Sequence, residues 1–102
     1  MNRTGNSMAI VCYDISSNRL RTKIDKCMKD YGTRIQYSVF MCRLGGEDMM
    51  RCKAALEGVL ERYKSEREPD DSVIVLERIS LDRVVSLAGD RAEMGVADFT
   101  VL

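Results

Sequence analysis

The chain has 102 residues, of which 45% are hydrophobic and 31% are charged, and its 16 basic side chains balance its 16 acidic ones. This length suits a single domain near the lower end of the usual size range. The longest apolar run, from Met8 to Tyr13, is far shorter than the roughly 20 residues that a membrane span needs. We therefore expect one soluble domain, with no membrane partner, in the cytoplasm.

The first strand is predicted from an apolar run that closes on an acid. Residues 1–7 are polar and contain Gly5, so we interpret them as a flexible tail. Met8 to Ile15 is apolar except for Asp14, a pattern typical of a central strand buried on both faces. Asp14 is thus expected near the carboxyl end of a buried strand.

A first helix follows from apolar residues at the spacing i, i+4, i+7, i+8 and i+11. These residues are Leu20, Ile24, Cys27, Met28 and Tyr31. Ser17 or Asn18 is available as the N-cap, and Gly32 is expected to close the helix as its C′ residue. We interpret the charged side chains between them as a solvated face: Arg21, Lys23, Asp25, Lys26 and Lys29.

The middle of the chain is predicted to be extended. Arg34 to Leu44 is rich in β-branched and aromatic residues and carries no breaker. It forms either one bent strand or a hairpin around Tyr37 and Ser38. Gly45 and Gly46 end it.

A second helix and a second long strand complete the pattern. Apolar residues repeat with a period of 3.6 residues from Met49 to Tyr63, which predicts the helix. The charged segment 65–71 contains the only proline, Pro69, and indicates a surface loop. Ser72 to Ile79 then predicts a second buried strand.

The fold class that these elements predict is α+β. Splitting the extended middle gives βαββαβ, a ferredoxin-like core over residues 8–79 with an antiparallel sheet and both helices on one face. The other face would be uncovered, and an apolar sheet face needs a partner. We expect short strands in the extension 80–102, at Val84 to Leu87 and Val96 to Leu102, to help build a homodimer interface or to dock a partner.

The cysteines indicate packing and give no sign of chemistry. They form no CxxC pair and the chain has no histidine, so no zinc or redox site is encoded at a recognisable spacing. We interpret them as small hydrophobic residues in or near the core. They are Cys12, Cys27, Cys42 and Cys52.

Charge is unevenly distributed along the chain. Between residues 17 and 43, seven basic residues face two acids, a balance of +5. Between residues 47 and 71, eight acids face five bases. Residues 17–43 are therefore expected to form the surface that would bind a polyanion.

Asp14 is the leading candidate for chemistry, and two interpretations of it stay open. A carboxylate before the first turn of a helix can stabilise the helix dipole and satisfy free N–H groups. Alternatively it can hold Mg²⁺, with Mn²⁺ as a substitute, since Mg²⁺ is commonly bound by one or two carboxylates plus substrate phosphate. One aspartate per chain is too few, but a two-fold axis would supply a second. Such a metal would activate water for phosphodiester hydrolysis.

Basic residues lie close to Asp14 in the sequence. Arg19 and Arg21 begin the first helix and Arg34 opens the next strand, so together they are candidates for sequence-independent phosphate contacts. The aromatic side chains of Tyr13, Tyr37 and Phe40 could stack on bases. Core packing is the favoured interpretation of these aromatics, because no RNA-binding motif accompanies them.

Three segments together resemble one known family: YDIS from Tyr13 to Ser16, KDYGTRIQYSVF from Lys29 to Phe40, and the hydrophobic strand that ends near Ile79. This is the family of small dimeric CRISPR-associated adaptation endonucleases, the second of the numbered Cas proteins. The resemblance covers most of the chain. It implies a ferredoxin-like homodimer that binds duplex DNA, bridges CRISPR integrase dimers during spacer acquisition and, in many members, is a metal-dependent endonuclease.

The resemblance also implies roles for particular residues. The family's metal-binding aspartate falls on Asp14, near the dimer axis, and its phosphate contacts fall on Arg19, Arg21 and Arg34. Two departures reduce the supply of carboxylates. Met41 follows SVF where the family often has an acid, and residues 16–18 (Ser-Ser-Asn) replace an acidic cluster.

Several functions therefore compete. The first is a Mg²⁺-dependent endonuclease acting on single-stranded RNA or duplex DNA through Asp14 of both subunits. The second is a non-catalytic DNA-binding scaffold beside the integrase. A toxin-like endoribonuclease of the virulence-associated D type and a small-molecule-binding regulatory domain are further alternatives, and no sequence feature favours either.

Overall fold

The computed structural model of the chain describes residues 7–88 and 100–101. A four-stranded core is built from β1 (Ser7–Asp14), β2 (Thr33–Gln36), β3 (Val39–Cys42) and β4 (Ser72–Ser80). Two helices, α1 (Asn18–Met28) and α2 (Gly46–Arg62), connect β1 to β2 and β3 to β4. The order βαββαβ is the predicted one.

The sheet has the strand order β2-β3-β1-β4, and all three neighbouring pairs are antiparallel. This confirms the ferredoxin-like α+β fold. The extended middle is a hairpin, because β2 and β3 are joined by a two-residue turn at Tyr37 and Ser38. Since β1 and β3 are the inner strands, Asp14 ends a central strand as the sequence predicted.

One face of the sheet packs on the helices. Alternate residues of β1, Ala9, Val11 and Tyr13, are buried there against Leu20, Ile24 and Met28 of α1 and against Met49, Cys52 and Leu56 of α2. Phe40 and Cys42 of β3 complete the same cluster. Because strand side chains alternate between faces, the even-numbered residues of β1 lie on the opposite side.

The opposite face is apolar and only partly covered. Met8 and Met41 are buried there under Val84, which follows β4. Ile74 and Leu76 of β4 remain 52% and 45% exposed. The prediction that β4 is a buried strand is therefore wrong, because Ile74 and Leu76 lie on the sheet face opposite the two described helices.

Helix α1 begins as predicted and ends earlier than predicted. The Ser17 side chain accepts from the Leu20 amide at 3.1 Å, which makes Ser17 the N-cap. The helix ends at Met28 with Lys29 as its C-cap, so Gly32 is not the closing residue. A Cβ on Gly32 would lie 2.5 Å from the Met41 carbonyl oxygen, and this close approach of β3 is what requires a glycine.

The described part of the extension contains two short strands, β5 (Val85–Ser86) and β6 (Thr100–Val101), which pair in parallel. They fall within the two segments predicted to be strands, and residues 96–99 of the second segment lie outside the described residues. The role of the extension in an interface stays a prediction. The flexible tail predicted at residues 1–7 lies outside the described residues, except for Ser7, which begins β1. No described helix is long and apolar enough to cross a membrane.

The cysteines behave as small hydrophobic residues, as predicted. All four are free thiols, and Cys42 and Cys52 are buried. Burial raises the pKa of Cys42 to about 12 and that of Cys52 to about 11. Both thiols therefore stay protonated near neutral pH.

Candidate functional site

Asp14 lies at the end of β1, opposite Ser72 of β4. Its side chain is exposed, and its carboxylate makes no hydrogen bond or ion pair with any other residue that the structure describes. The alternation of the strand places it on the same face as Ile10 and Cys12, which is the partly covered face of the sheet. The interpretation of Asp14 as a helix-capping residue is wrong, because Ser17 is the N-cap of α1.

The chain leaving β1 is fixed by a different acid, Asp71. One of its carboxylate oxygens accepts from the Ser16 amide at 3.0 Å and from the Ser16 hydroxyl at 2.6 Å. The other oxygen accepts from the Glu68 amide at 2.9 Å. The Ser16 hydroxyl, followed by the Glu68 amide, holds the pKa of Asp71 below its ordinary value. Asp71 thus holds the segment next to Asp14 and stays ionised.

A second network lies on the face of β1 that packs on the helices. The Tyr13 hydroxyl donates to Asp25 of α1, and Arg34 of β2 contacts the other oxygen of Asp25 at 2.9 Å. Burial, together with the hydrogen bond to Asp25, raises the pKa of Tyr13 well above its ordinary value. Asp25 is consequently a partly buried bridge between helix and sheet. The prediction that it belongs to a solvated face is wrong, because its partners lie on distant strands.

Arg34 also supports the β2–β3 turn. Its Nη1 donates to the Tyr37 carbonyl at 2.8 Å, and its guanidinium lies over the Phe40 ring at 5.4 Å. The side chain is 35% exposed. The structure therefore places this predicted phosphate contact in a structural network while leaving part of it accessible.

Arg21 lies at the same end of the sheet. Its guanidinium donates to the carbonyl of Ile15, the residue after Asp14, and to the side chain of Asn18. It also lies 5.7 Å from the centre of the Tyr37 ring. Arg21 and the β2–β3 turn therefore lie at the same end of the sheet as Asp14, although Arg21 belongs to a helix on one face and the Asp14 side chain lies on the other face.

Arg19 lies in the first turn of α1, and its side chain contacts the segment that follows α2. It forms an ion pair with Glu66 at 3.5 Å and lies over the Tyr63 ring at 5.3 Å. Lys23 lies near the same ring, at 5.7 Å. The Arg19 side chain remains 69% exposed, so its charge faces solvent even though it has an acidic neighbour.

The aromatic side chains divide into two groups. Tyr13 and Phe40 are buried, with ring centres 6.4 Å apart, as core packing predicts. Tyr37 is 70% exposed, so core packing is wrong for this residue. Its place in a tight turn is the reason, and the uncertain hairpin boundary concealed it in the sequence.

Metal ligation within one chain is limited. The described residues contain no group of three or more histidine, cysteine or acidic side chains that could hold a metal ion. Asp14 is exposed and unpartnered in that part of the chain, whereas nearby Asp71 is occupied by Ser16 and Glu68. The single Asp14 carboxylate is the smallest number with which Mg²⁺ is commonly bound, and a second chain would supply a second carboxylate.

Comparison with known proteins gives a consistent picture. Residues 7–84 match the family described as "CRISPR associated protein Cas2". A CRISPR-associated endoribonuclease Cas2 from Thermodesulfovibrio yellowstonii is 34% identical over 90 residues, which cover 88% of this chain and 93% of that protein. Another from Rhodospirillum rubrum is 38% identical over 58 residues, 57% of this chain and 46% of the relative. The chain thus aligns with about half the length of some relatives.

The fold is shared with a crystal structure. Streptococcus pyogenes Cas2, solved at pH 6.5, superposes with a TM-score of 0.54 and 25% identity, over 67% of this chain and 81% of that one. The superposition supports the ferredoxin-like fold described above.

Proposed function

Because this chain belongs to the CRISPR-associated protein Cas2 family, we propose that it acts in CRISPR adaptation as a homodimer that binds nucleic acid beside the integrase. In this proposal the dimer also hydrolyses phosphodiester bonds, with Mg²⁺ held by Asp14 of both subunits. The observation that carries it is the exposed, unpartnered Asp14 carboxylate at the end of the partly covered apolar face.

The dimer in this proposal uses the sheet face opposite the helices. Ile74 and Leu76 lie on it, and both are about half exposed in the single chain. A small domain gains stability when it shares such area with a copy of itself. A two-fold axis across this face would bring the two β1 strands, and hence the two Asp14 carboxylates, towards each other.

The metal requirement follows from the same arrangement. Two carboxylates match the number with which Mg²⁺ is commonly bound, the remaining ligands being water and substrate phosphate. Bound Mg²⁺ would polarise a phosphoryl oxygen and lower the pKa of a water molecule. Asp14 supplies only ligation, and the nearby Arg21 supplies positive charge for the substrate backbone. Arg19 and Arg34 would add further phosphate contacts.

The test is cleavage of single-stranded RNA and of duplex DNA, with Mg²⁺, Mn²⁺ or EDTA, by wild type and by Asp14→Asn. We expect metal-dependent cleavage that EDTA stops and that Asp14→Asn abolishes. Asp30→Asn is the matched control, because Asp30 is an exposed acid beyond the end of α1. Undiminished cleavage by pure Asp14→Asn protein would refute the catalytic role.

The non-catalytic scaffold is the second candidate, and one observation favours it: the described residues contain no group of three or more side chains that could hold a metal ion. A scaffold predicts duplex binding that survives Asp14→Asn and weakens with salt. Charge reversal of Arg19 and Arg21 should weaken that binding and reduce the slope of log affinity against log salt by about 1 for each phosphate that the variant no longer neutralises. Unchanged binding after reversal would refute this version. Selective cleavage of single-stranded RNA together with growth arrest would instead favour the toxin-like ribonuclease.

A further inference from the structure

Tyr37 is an exposed ring on a rigid support. It lies in the two-residue turn between β2 and β3, with 70% of its surface accessible. Arg34 donates to its carbonyl at 2.8 Å, and the neighbouring Ser38 carbonyl accepts from the Tyr13 amide at 3.1 Å. The backbone of the turn is thereby attached to both β2 and β1. An exposed aromatic residue held in this way is pre-organised, so little entropy is lost when it binds a ligand.

The Tyr37 ring has a fixed cation beside it. The Arg21 guanidinium lies 5.7 Å from the ring centre, within the range of a cation–π contact. Arg21 is itself held by the Ile15 carbonyl and by Asn18. The ring therefore has positive charge at one side, and its high exposure leaves the rest of its surface for a ligand.

The other cations near a tyrosine do not make an equivalent site. Arg19 and Lys23 lie over the Tyr63 ring, but Tyr63 is partly buried and packs against the main core. Its ring contributes to folding and offers a ligand less free surface. Tyr37 is thus the tyrosine of the described chain that combines high exposure with a neighbouring arginine.

We propose that Tyr37 and Arg21 form a stacking site for an unpaired base at the same end of the sheet as Asp14. The ring supplies a flat surface for the base, and Arg21 supplies charge for the adjacent phosphate. Bases inside a duplex are already stacked and do not reach such a ring. This inference rests on the proposed nucleic-acid function and adds to it a residue that binds a base, Tyr37.

The test compares two fluorescent single strands with the same number of phosphates, oligo-dT and an abasic strand, by anisotropy in EDTA. Stacking of a base on an aromatic side chain is worth about 1–3 kcal/mol, so oligo-dT should bind about 5- to 150-fold more tightly to wild type. Tyr37→Phe should keep this preference and Tyr37→Leu should lose it. Circular dichroism of each variant checks that the fold is retained.

A second readout reports stacking directly. The chain has no tryptophan, so Tyr37→Trp introduces a single indole. Oligo-dT should quench its fluorescence, and the abasic strand should not. Equal affinity of wild type for the two strands, or a preference that survives Tyr37→Leu, overturns the stacking site and leaves phosphate binding standing. Binding to neither strand would overturn the stacking site, and duplex DNA tested in the same assay would then show whether the proposed nucleic-acid function fails as well.

Discussion

The Tyr13 amide donates to the Ser38 carbonyl over 3.1 Å, which attaches the β2–β3 turn to β1 one residue before Asp14. The hydroxyl of the same Tyr13 donates to Asp25 on α1. A single residue of the central strand therefore connects the candidate metal ligand, the exposed turn and the first helix. Changes in this network are expected to alter stability, while changes at Asp14 are not.

Arg34 and Arg51 allow the contribution of a partly buried ion pair to stability to be compared with that of exposed ion pairs. Arg34 contacts Asp25, whose side chain is 21% exposed, whereas Arg51 contacts Glu47 and Asp48 on the open surface of α2. Because charge-assisted hydrogen bonds are worth about 1.5–3 kcal/mol, Arg34→Met should destabilise the fold by about that amount. Arg51→Met should have an effect below about 1 kcal/mol. Urea denaturation measures both, and equal losses of stability would contradict the structural role of Arg34.

Two glycines should respond to alanine with opposite signs. At Gly32 an added Cβ meets the Met41 carbonyl oxygen at 2.5 Å, so Gly32→Ala should destabilise the fold by about 1–3 kcal/mol. At Gly58, inside α2, an added Cβ meets nothing within 4 Å. Gly58→Ala should therefore stabilise the fold by about 0.5–1 kcal/mol. Thermal melting of the two variants gives the signs, and a stable Gly32→Ala protein would refute the close approach of β3.

Asp71 should make stability depend on pH in the acid range. Since the folded state lowers the pKa of Asp71, its contribution is present above the ordinary pKa of an aspartate and is lost as the pH falls through the folded value. Asp71→Asn should consequently be less stable than wild type at pH 7, and the difference should shrink towards pH 2. Chemical denaturation at several pH values measures the difference. A difference in stability between the two proteins that does not change with pH would mean that the charge of Asp71 does not stabilise the fold.

The exposed sheet face should control the oligomeric state. Leu76→Glu places a charge on that face, and a two-fold interface would bury it twice. Met50→Glu is the control, because Met50 is 69% exposed on α2. Helix α2 packs on the opposite face of the sheet from Leu76. Light scattering at matched concentrations should show a monomer for Leu76→Glu and a dimer for wild type and Met50→Glu. A dimer that tolerates Leu76→Glu would place the interface elsewhere.

The sequence predicts the fold well because its elements have clear periodicity. The apolar run before Asp14 predicts a strand, and the helical spacing around Leu20 predicts a helix. The hairpin stayed ambiguous because Tyr37 and Ser38 carry no glycine or asparagine to indicate a turn. The edge position of β4 depends on strand order, which periodicity along one segment does not encode.

The site was harder to predict because its contacts are distant in the sequence. Ser16 and Asp71 are separated by 55 positions, and nothing local indicates that they meet. Asp25 resembles any surface acid of a helix until Tyr13 and Arg34 are placed beside it. The position of Asp14 could be predicted because its signal is local: a single carboxylate that ends an apolar strand.

The most direct test of the shared metal site is the activity of a mixed dimer. Subunits with two different affinity tags, one wild type and one Asp14→Asn, are produced together and purified through both tags. If the metal lies between the two Asp14 carboxylates, the mixed dimer should be nearly as inactive as the double mutant, while the wild-type dimer cleaves in Mg²⁺. A mixed dimer with half of the wild-type activity would show that each Asp14 works alone and would contradict the shared site.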